Sequence, residues 1–489
     1  MKITFFGAAQ TVTGSKYLIE VGGYGLLLDC GLHQGKRSIA NQLNANFPID
    51  AKKINAVILS HAHADHCGML PVLVREGFEG KIYCTAATAD ITKFILHDSA
   101  NIQENDALYY NKHLQEGEAP IKPIYTEQDV KKTFSYFEPV AYFRLSGQWT
   151  QLTPNIRFKF YDAGHILGSA ITLLEITEEG KKKNIIFTGD LGRHFLPILR
   201  DPEFVKEPAE TLIMECTYGS RIHKPVSDLE LELKTIITEA VKNKSKIIVP
   251  AFSLGRTQEL LYVLHKLKDA KQIPSLPIFI DSPLAQKITR VFSTYVADFD
   301  EEFWKDFGEK GDKAFLFDNL VTTSSMKESK SINEKEGPYI VIAGSGMCEG
   351  GRILHHLKNN IENTNTIILI TGYQAENTLG RKIIEISKAQ VRPVKSAEGG
   401  VSQNAKQFDR VKIFGQPYQV NAKIIILNEL SAHADQKDLL NYVDSVKLLN
   451  KVFLVHTEMQ EALVFKGKLE TIHPLLKVNI PKLGEVFEI

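Results

Sequence analysis

Six residues constrain this chain more than any other stretch: His61-Ala62-His63-Ala64-Asp65-His66, directly after the apolar run Ala56–Leu59. Three imidazoles and a carboxylate are costly to crowd together unless something positive gathers them. Nitrogen and carboxylate donors suit Zn²⁺, with Mn²⁺ or Fe as alternatives. Histidines at i and i+2 can face one side of a loop while Asp65 and His66 turn toward a second position. The segment therefore supplies more donors than one catalytic cation uses while keeping an open position. A paired site needs ligands from elsewhere, and three residues stand in similar surroundings. His165 follows the run Ile156–Asp162, Asp190 follows Asn184–Thr188, and His456 follows Lys451–Val455. Alone, His165 or Asp190 reads as a turn residue. Together the three put donors at the carboxyl ends of apolar strands, where α/β sheets gather their chemistry.

Such a rim needs a layered fold of some size. The 489 residues suggest two or three domains. Lys+Arg and Asp+Glu both total 58. The zero net charge excludes a protein that coats polyanions by bulk charge and leaves only a local basic groove for nucleic acid. Hydrophobic residues at 43% and charged ones at 24% exclude wholesale disorder. No apolar run reaches the roughly 18–20 residues of a membrane span, and the start at Met1 reads as too short and interrupted for a signal peptide. Five scattered cysteines (Cys30, Cys67, Cys84, Cys216, Cys348) form no CxxC pair. They lead us to expect reduced thiols in a cytoplasmic protein.

Short apolar runs alternate with helical patterns almost throughout. Early strands are expected at 2–7, 15–21, 24–29 and 56–60, with helices near 69–76 and 87–104 and an irregular excursion from 97 to 149. From about Thr211 the rhythm becomes strand–helix–strand, with strands at 211–216, 246–251, 277–281, 339–343 and 366–371, which predicts a doubly wound parallel sheet. The polar stretch 390–410 reads as a loop. A strand at 423–427, a helix at 437–446 and the strand ending at His456 follow.

Asp29, the 61–66 cluster, His165 and Asp190 resemble the successive motifs of the metallo-β-lactamase superfamily. Met214-Glu215-Cys216-Thr217-Tyr218-Gly219, Ser431-Ala432-His433-Ala434-Asp435 and Val455-His456-Thr457-Glu458 are similar to motifs A, B and C of its β-CASP branch, the nucleases that include the mRNA 3′-end processing endonuclease and its prokaryotic relatives. Further stretches, 249–259, 344–352 and 372–381, share the branch's appearance, and the resemblance spans essentially the whole chain. Thr457 and Asn377 depart from it, each standing where glycine is usual.

The resemblance implies an αββα sandwich interrupted by a doubly wound parallel-sheet β-CASP domain. Its expected layout is 1–208 and 413–489 for the sandwich and 209–412 for the insertion. It implies that His61, His63 and His165 hold one metal, Asp65, His66 and His456 a second, and that Asp190 bridges them, with Asp29 orienting the loop. Two such cations would supply a hydroxide nucleophile for attack on phosphorus, with Asp65 and Asp190 at the reaction centre. His433 is the candidate general acid delivering a proton to the departing oxygen, and Glu215 the carboxylate that fixes its tautomer. Weaker expectations concern phosphate contacts: Ser431 by its hydroxyl, and Ser253, Arg256, Ser345 and Arg352 at strand-to-helix turns, where tight turns or local acid pairs are the alternative. Tyr218 and Tyr373 are candidates for base stacking, against ordinary packing.

The expected function is thus a zinc-dependent ribonuclease of single-stranded RNA, with an RNA substrate, no membrane and a possible homodimer. The enzymatic alternative is a hydrolase of small esters or thioesters; the non-enzymatic one is an inactive RNA-binding scaffold.

Overall fold

In the computed structural model, described for all residues except 36, 115–118, 225–227, 309–312, 373, 376, 392–408 and 428–430, strand residues alternate between two cores. Leu26, Leu28 and Ile58 point into one core, whereas Leu27, Val57 and Leu59 point into another. That period of two places one sheet face against a second sheet and the other against helices.

The first sheet runs, in order, Val486–Glu488, Lys2–Phe5, Tyr17–Val21, Tyr24–Leu28, Ala56–Ile58, Lys81–Cys84 and Phe137–Pro139. The second runs Lys477–Asn479, Lys451–Val455, Thr211–Glu215, Lys181–Phe187, Ala170–Glu178, Ile156–Asp162 and Thr150–Thr153. Their facing sides share a buried core that includes Phe5, Tyr17, Phe158, Phe160, Phe187 and Phe453. On the outer face of the first sheet lie the helices Leu70–Arg75 and Ala86–Lys112, the latter burying Leu96 and Ala100. The helices Gln436–Ser445 and Met459–Ile472 cover the second through Leu439, Tyr442, Phe465 and Leu469. The result is a four-layer αββα sandwich. Residues 1–222 and 432–489 form this unit.

Residues 223–431 form a second unit around a six-stranded, wholly parallel sheet in the order Leu320–Thr322, Ile278–Ile280, Tyr339–Ala343, Lys246–Pro250, Thr366–Ile370 and Lys423–Ile426. The doubly wound insertion expected from the sequence is present, but both its borders move. The strand Thr211–Glu215, expected to open the insertion, pairs parallel with Lys181–Phe187 and Lys451–Val455 and so completes the sandwich. Lys423–Ile426, expected in the returning sandwich segment, pairs with Thr366–Ile370 in the second unit. An apolar strand reads alike in either sheet, so its partner had to come from tertiary pairing. The irregular excursion resolves into the helix reaching Lys112, a capped helix Glu127–Thr133 and the edge strand Phe137–Pro139. Most of the expected 390–410 loop lies outside the described residues. No helix among the described residues is long and apolar enough to cross a membrane, and the five cysteines are free and buried.

Candidate metal centre

The 61–66 segment leaves the strand Ala56–Ile58 and enters the short helix Ala64–Cys67. Its backbone is tied down by three amides from neighbouring loops. The amide of Ser15 donates to the Asp65 carbonyl at 2.8 Å, that of Leu32 to Ala64 at 2.9 Å and that of Cys30 to His66 at 2.7 Å. Gly31 is required for this approach, because a Cβ there would sit 1.6 Å from the Asp65 carbonyl oxygen. Beneath them the buried Lys16 ammonium donates to the carbonyls of Gly14 and Gly31.

Asp29, fully buried and in a left-handed conformation (φ 60°), is the hub behind the ligands. Its carboxylate accepts the Ser60 amide (2.7 Å), the Ser60 hydroxyl (2.8 Å) and Nδ1–H of His66 (2.7 Å). With its own proton committed to Asp29, the Ser60 oxygen accepts Nδ1–H of His61 at 3.0 Å. One carboxylate thereby turns Nε2 of both His61 and His66 toward the centre as lone-pair donors. Asp29 was legible in the sequence; Ser60, its relay to His61, was not, because a serine at a strand end carries no signal of its own.

Around the centre, Nε2 of His61 lies 3.1 Å from Nδ1 of His63 and 3.5 Å from Oδ2 of Asp190. Nε2 of His165 lies 3.3 Å from Nδ1 of His63 and 3.6 Å from the same Asp190 oxygen. Tetrahedral coordination at 2.0–2.1 Å sets ligands about 3.3–3.4 Å apart. These four donors match that spacing. On the other side of Asp190, Oδ1 lies 3.2 Å from Nε2 of His66, and Oδ2 of Asp65 lies 3.4 Å from Nε2 of His456. Three donor groups, His61/His63/His165/Asp190, Asp65/His66/His456 and Asp190/His433/His456, can each bring one atom per residue within 4.8 Å of one another; the Nδ1 of His433 is taken by Glu215. Asp190 reaches the first two through different oxygens. The centre also passes a test of incompleteness: among the described residues, Nε2 of His66 and Oδ1 of Asp190 are buried and, with the single proton of neutral His66 committed to Asp29, face each other at 3.2 Å with no hydrogen between them. Divalent cations fit these donors.

Burial pushes the imidazoles of His61, His63 (to about 4) and His165 down, toward the neutral, ligating form, whereas at His66 burial is outweighed by the Asp190 and Asp29 carboxylates, which push the imidazole up until a cation takes the proton's place. The carboxyl of Asp190 is held well below its ordinary range: burial opposes this, but the surrounding imidazoles of His456, His66 and His61 outweigh it.

His456 sits at φ 48°, fixed by its amide donating to the Ala8 carbonyl at 2.8 Å. Thr217 donates its hydroxyl to the His456 carbonyl and accepts Nδ1–H of the same residue, both at 3.1 Å, which faces Nε2 toward Asp65. Thr457 returns the contact by donating to the Cys216 carbonyl at 2.7 Å. The departure from glycine at 457 thus supplies half of a reciprocal two-hydroxyl clasp. In the sequence Thr457 stands out only as a departure, and Thr217 carries no signal beyond its place in a motif.

Next to the ligands, His433 donates Nδ1–H to Oε1 of the buried Glu215 at 2.8 Å, and its ring centroid is 4.5 Å from that of His165. Glu215 is itself fixed by the amides of Leu191 (2.9 Å) and Thr217 (3.1 Å). Burial would lower the His433 imidazole, but the Glu215 charge and hydrogen bond push it up to about 9. His433 and Glu215 come from the same unit as the donors, since the strand ending at Glu215 belongs to the sandwich.

Of the residues expected to contact phosphate, Ser253, Arg256, Ser345 and Arg352 have partners of their own. Ser253, Arg256, Ser345, Arg352 and Ser431 belong to the second unit. Arg256 is buried and pairs with Glu259 at 2.5 Å, and Arg352 donates to Asp281 at 2.6 Å, so both follow the local-acid alternative. Ser345 accepts the amides of Glu349 and Gly350, and the Ser253 hydroxyl contacts that of Ser282. Tyr218 is nearly buried, with its ring 6.1 Å from that of His433. Tyr373 lies outside the described residues.

A four-layer sandwich whose strand ends converge this donor set defines a metal-dependent hydrolase. Residues 11–250 match the metallo-beta-lactamase superfamily, 257–383 the Beta-Casp domain and 417–481 the Zn-dependent metallo-hydrolase RNA specificity domain. The chain belongs to the beta-CASP branch of the metallo-beta-lactamase superfamily. It is 33% identical to Ribonuclease TTHA0252 of Thermus thermophilus, covering 99% of each chain. It is 31% identical to the RNase J-like protein of Methanocaldococcus jannaschii, over 100% of this chain and 99% of that one. Transcription termination factor FttA of the same organism is 28% identical, over 98% of this chain and 69% of its own length. Among solved structures, a protein of unknown function from Enterococcus faecalis shares the fold, with a TM-score of 0.51 at 13% identity and 99% coverage of both chains.

Proposed function

We propose that this chain is a two-zinc ribonuclease that hydrolyses phosphodiester bonds of single-stranded RNA, with His433 as general acid. The observation that carries the reading is Asp190, with one oxygen toward His61 and His165 and the other toward His66, and the Glu215–His433 pair alongside. The relatives named ribonuclease and the matched RNA specificity domain support RNA as substrate. When bound, the cations supply Lewis acidity and a nucleophile at neutral pH. The protein's own part is positional. Asp29 and Ser60 orient His61 and His66, and Thr217 orients His456. Asp190 and Asp65 set negative charge at the centre. His433, its Nδ1 committed to Glu215, presents Nε2 as the proton donor to the departing oxygen. Buried reduced thiols suit a cytoplasmic setting, and cleavage within the chain of the RNA is the mode we propose.

The test is incubation of labelled linear and circular RNA with purified protein, with and without chelator, beside a His433→Ala variant. Chelator-sensitive cleavage of the circle is the expected result. Binding without cleavage would favour the scaffold, and ester turnover without RNA cleavage the small-ester hydrolase.

A further inference from the structure

The loop that leaves Asp190 treats its apolar residues in opposite ways. Leu196, Ile198 and Leu199 are buried, yet Phe195, the largest, is 80% exposed. This is not a frayed loop. Ile198 holds φ 78° with its side chain fully buried, and Phe195 holds φ 64° with its amide donating to Oδ1 of Asp201 at 2.7 Å. Left-handed backbone is strained for a bulky residue, so two such residues mark a conformation that the surroundings impose. Here it turns an aromatic ring out into solvent.

The ring is not isolated. It begins a row: Phe195 to His194 at 6.1 Å between centroids, His194 to the half-exposed Phe204 at 6.1 Å, and Phe204 to the buried Tyr442 at 5.8 Å. His194 is fixed in this row by Asp438 at 3.1 Å. The row is also tethered to the reaction centre. Gly192 forms a backbone bridge with His433, and the Arg193 amide donates to the Ala432 carbonyl at 3.2 Å. Phe195 follows Gly192 by three positions, so their Cα atoms are at most about 11 Å apart.

Exposed, rigid aromatic faces beside a nuclease centre are what unstacked bases bind, since every base has a π-face. We infer that Phe195, backed by His194 and Phe204, is a stacking subsite for a nucleobase of the RNA strand close to the scissile bond. The inference rests on the ribonuclease reading and adds to it a place where the substrate's bases are held without sequence preference. Phe195 is a binding residue here, outside the metal and acid machinery.

The experiment uses full-length Phe195→Ala and Phe195→Trp variants. On a single-stranded oligouridylate, Phe195→Ala raises KM roughly tenfold, changes kcat less than twofold and leaves metal content at the wild-type level; Phe195→Trp restores KM. The added indole emission of the Phe195→Trp variant is also quenched by a non-cleavable 2′-O-methyl oligouridylate. An abasic oligomer of equal length quenches it less, against the wild-type background of Trp149 and Trp304. Wild-type cleavage with unaltered KM in Phe195→Ala, or equal quenching by the abasic oligomer, overturns the subsite alone. A change in oligomeric mass with unaltered KM would reassign the ring to a protein contact and overturn it too. Absence of RNA cleavage by the wild type overturns the ribonuclease reading itself.

Discussion

Two buried aspartates, one in each unit, face imidazoles at strand ends, and they are satisfied in opposite ways. Asp281 follows the strand Ile278–Ile280, and its two oxygens take four donors: Thr323 (2.5 Å) and Arg352 (2.6 Å) on Oδ1, Ser329 (2.6 Å) and His356 (2.7 Å) on Oδ2. Nothing is left over, and the acid is closed by the protein. Asp190 has imidazoles of His61, His66, His165 and His456 at 3.2–3.6 Å, and among the described residues its Oδ1 has no hydrogen-bond donor. Buried polar atoms are rarely left so. The contrast teaches that clustering of histidine and aspartate does not by itself make a metal site. What distinguishes one is donors spaced for coordination with their lone pairs left pointing inward.

The comparison can be broken in four places. The largest effect is expected for Asp190→Ala, which removes the shared donor: cation content measured by elemental analysis falls and RNA cleavage is lost. His433→Ala comes next. Cleavage falls by roughly 10²–10⁴-fold with metal content unchanged, whereas metal loss in this variant would make His433 a ligand. In the other unit, Asp281→Ala leaves the buried His356 without its hydrogen-bond partner and the partly exposed Arg352 without its counter-charge, and destabilises by about 3–5 kcal/mol, read by urea denaturation, with no loss of metal. The same acid gives a pH test. Burial raises its carboxyl, but the hydrogen bonds from His356, Ser329, Thr323 and Arg352 outweigh that and hold it below its ordinary range. Its contribution is therefore complete above the ordinary carboxylate value of ~4 and is lost as pH falls below it. Acid titration of wild type and Asp281→Ala should converge in stability there. The smallest effect is expected for Thr217→Val, which frees Nδ1 of His456 and weakens cation affinity roughly 10–100-fold; Thr217→Ser keeps it. Equal affinity in both variants would remove the clasp from the account.

What could be read from the sequence followed from how local each signal is. His61, His63, Asp65 and His66 lie within six residues, and Asp29, His165, Asp190 and His456 each end an apolar run, so the structure brings together residues that reading had already paired. Glu215 and His433 were legible only as motifs, because 218 positions separate them and the hydrogen bond joining them is tertiary. The Asp281 network carries no such signature. Neighbours on a helix point apart, which argues against His355-His356 as a ligand pair, and that geometry is what sends His356 inward to Asp281 while His355 stays outside the network. The domain borders were misread for a different reason. Thr211–Glu215 and Lys423–Ile426 are equally apolar, and only strand pairing decides which sheet takes each.

The central requirement is that donors from four separate stretches of one unit hold a pair of cations through Asp190. Metal counting by native mass spectrometry on zinc-reconstituted protein tests it directly. Two zinc ions per wild-type polypeptide, with neither full site retained in Asp190→Ala, is the result the account predicts. A wild-type protein that saturates at one ion, or an Asp190→Ala variant that still binds two, would contradict it.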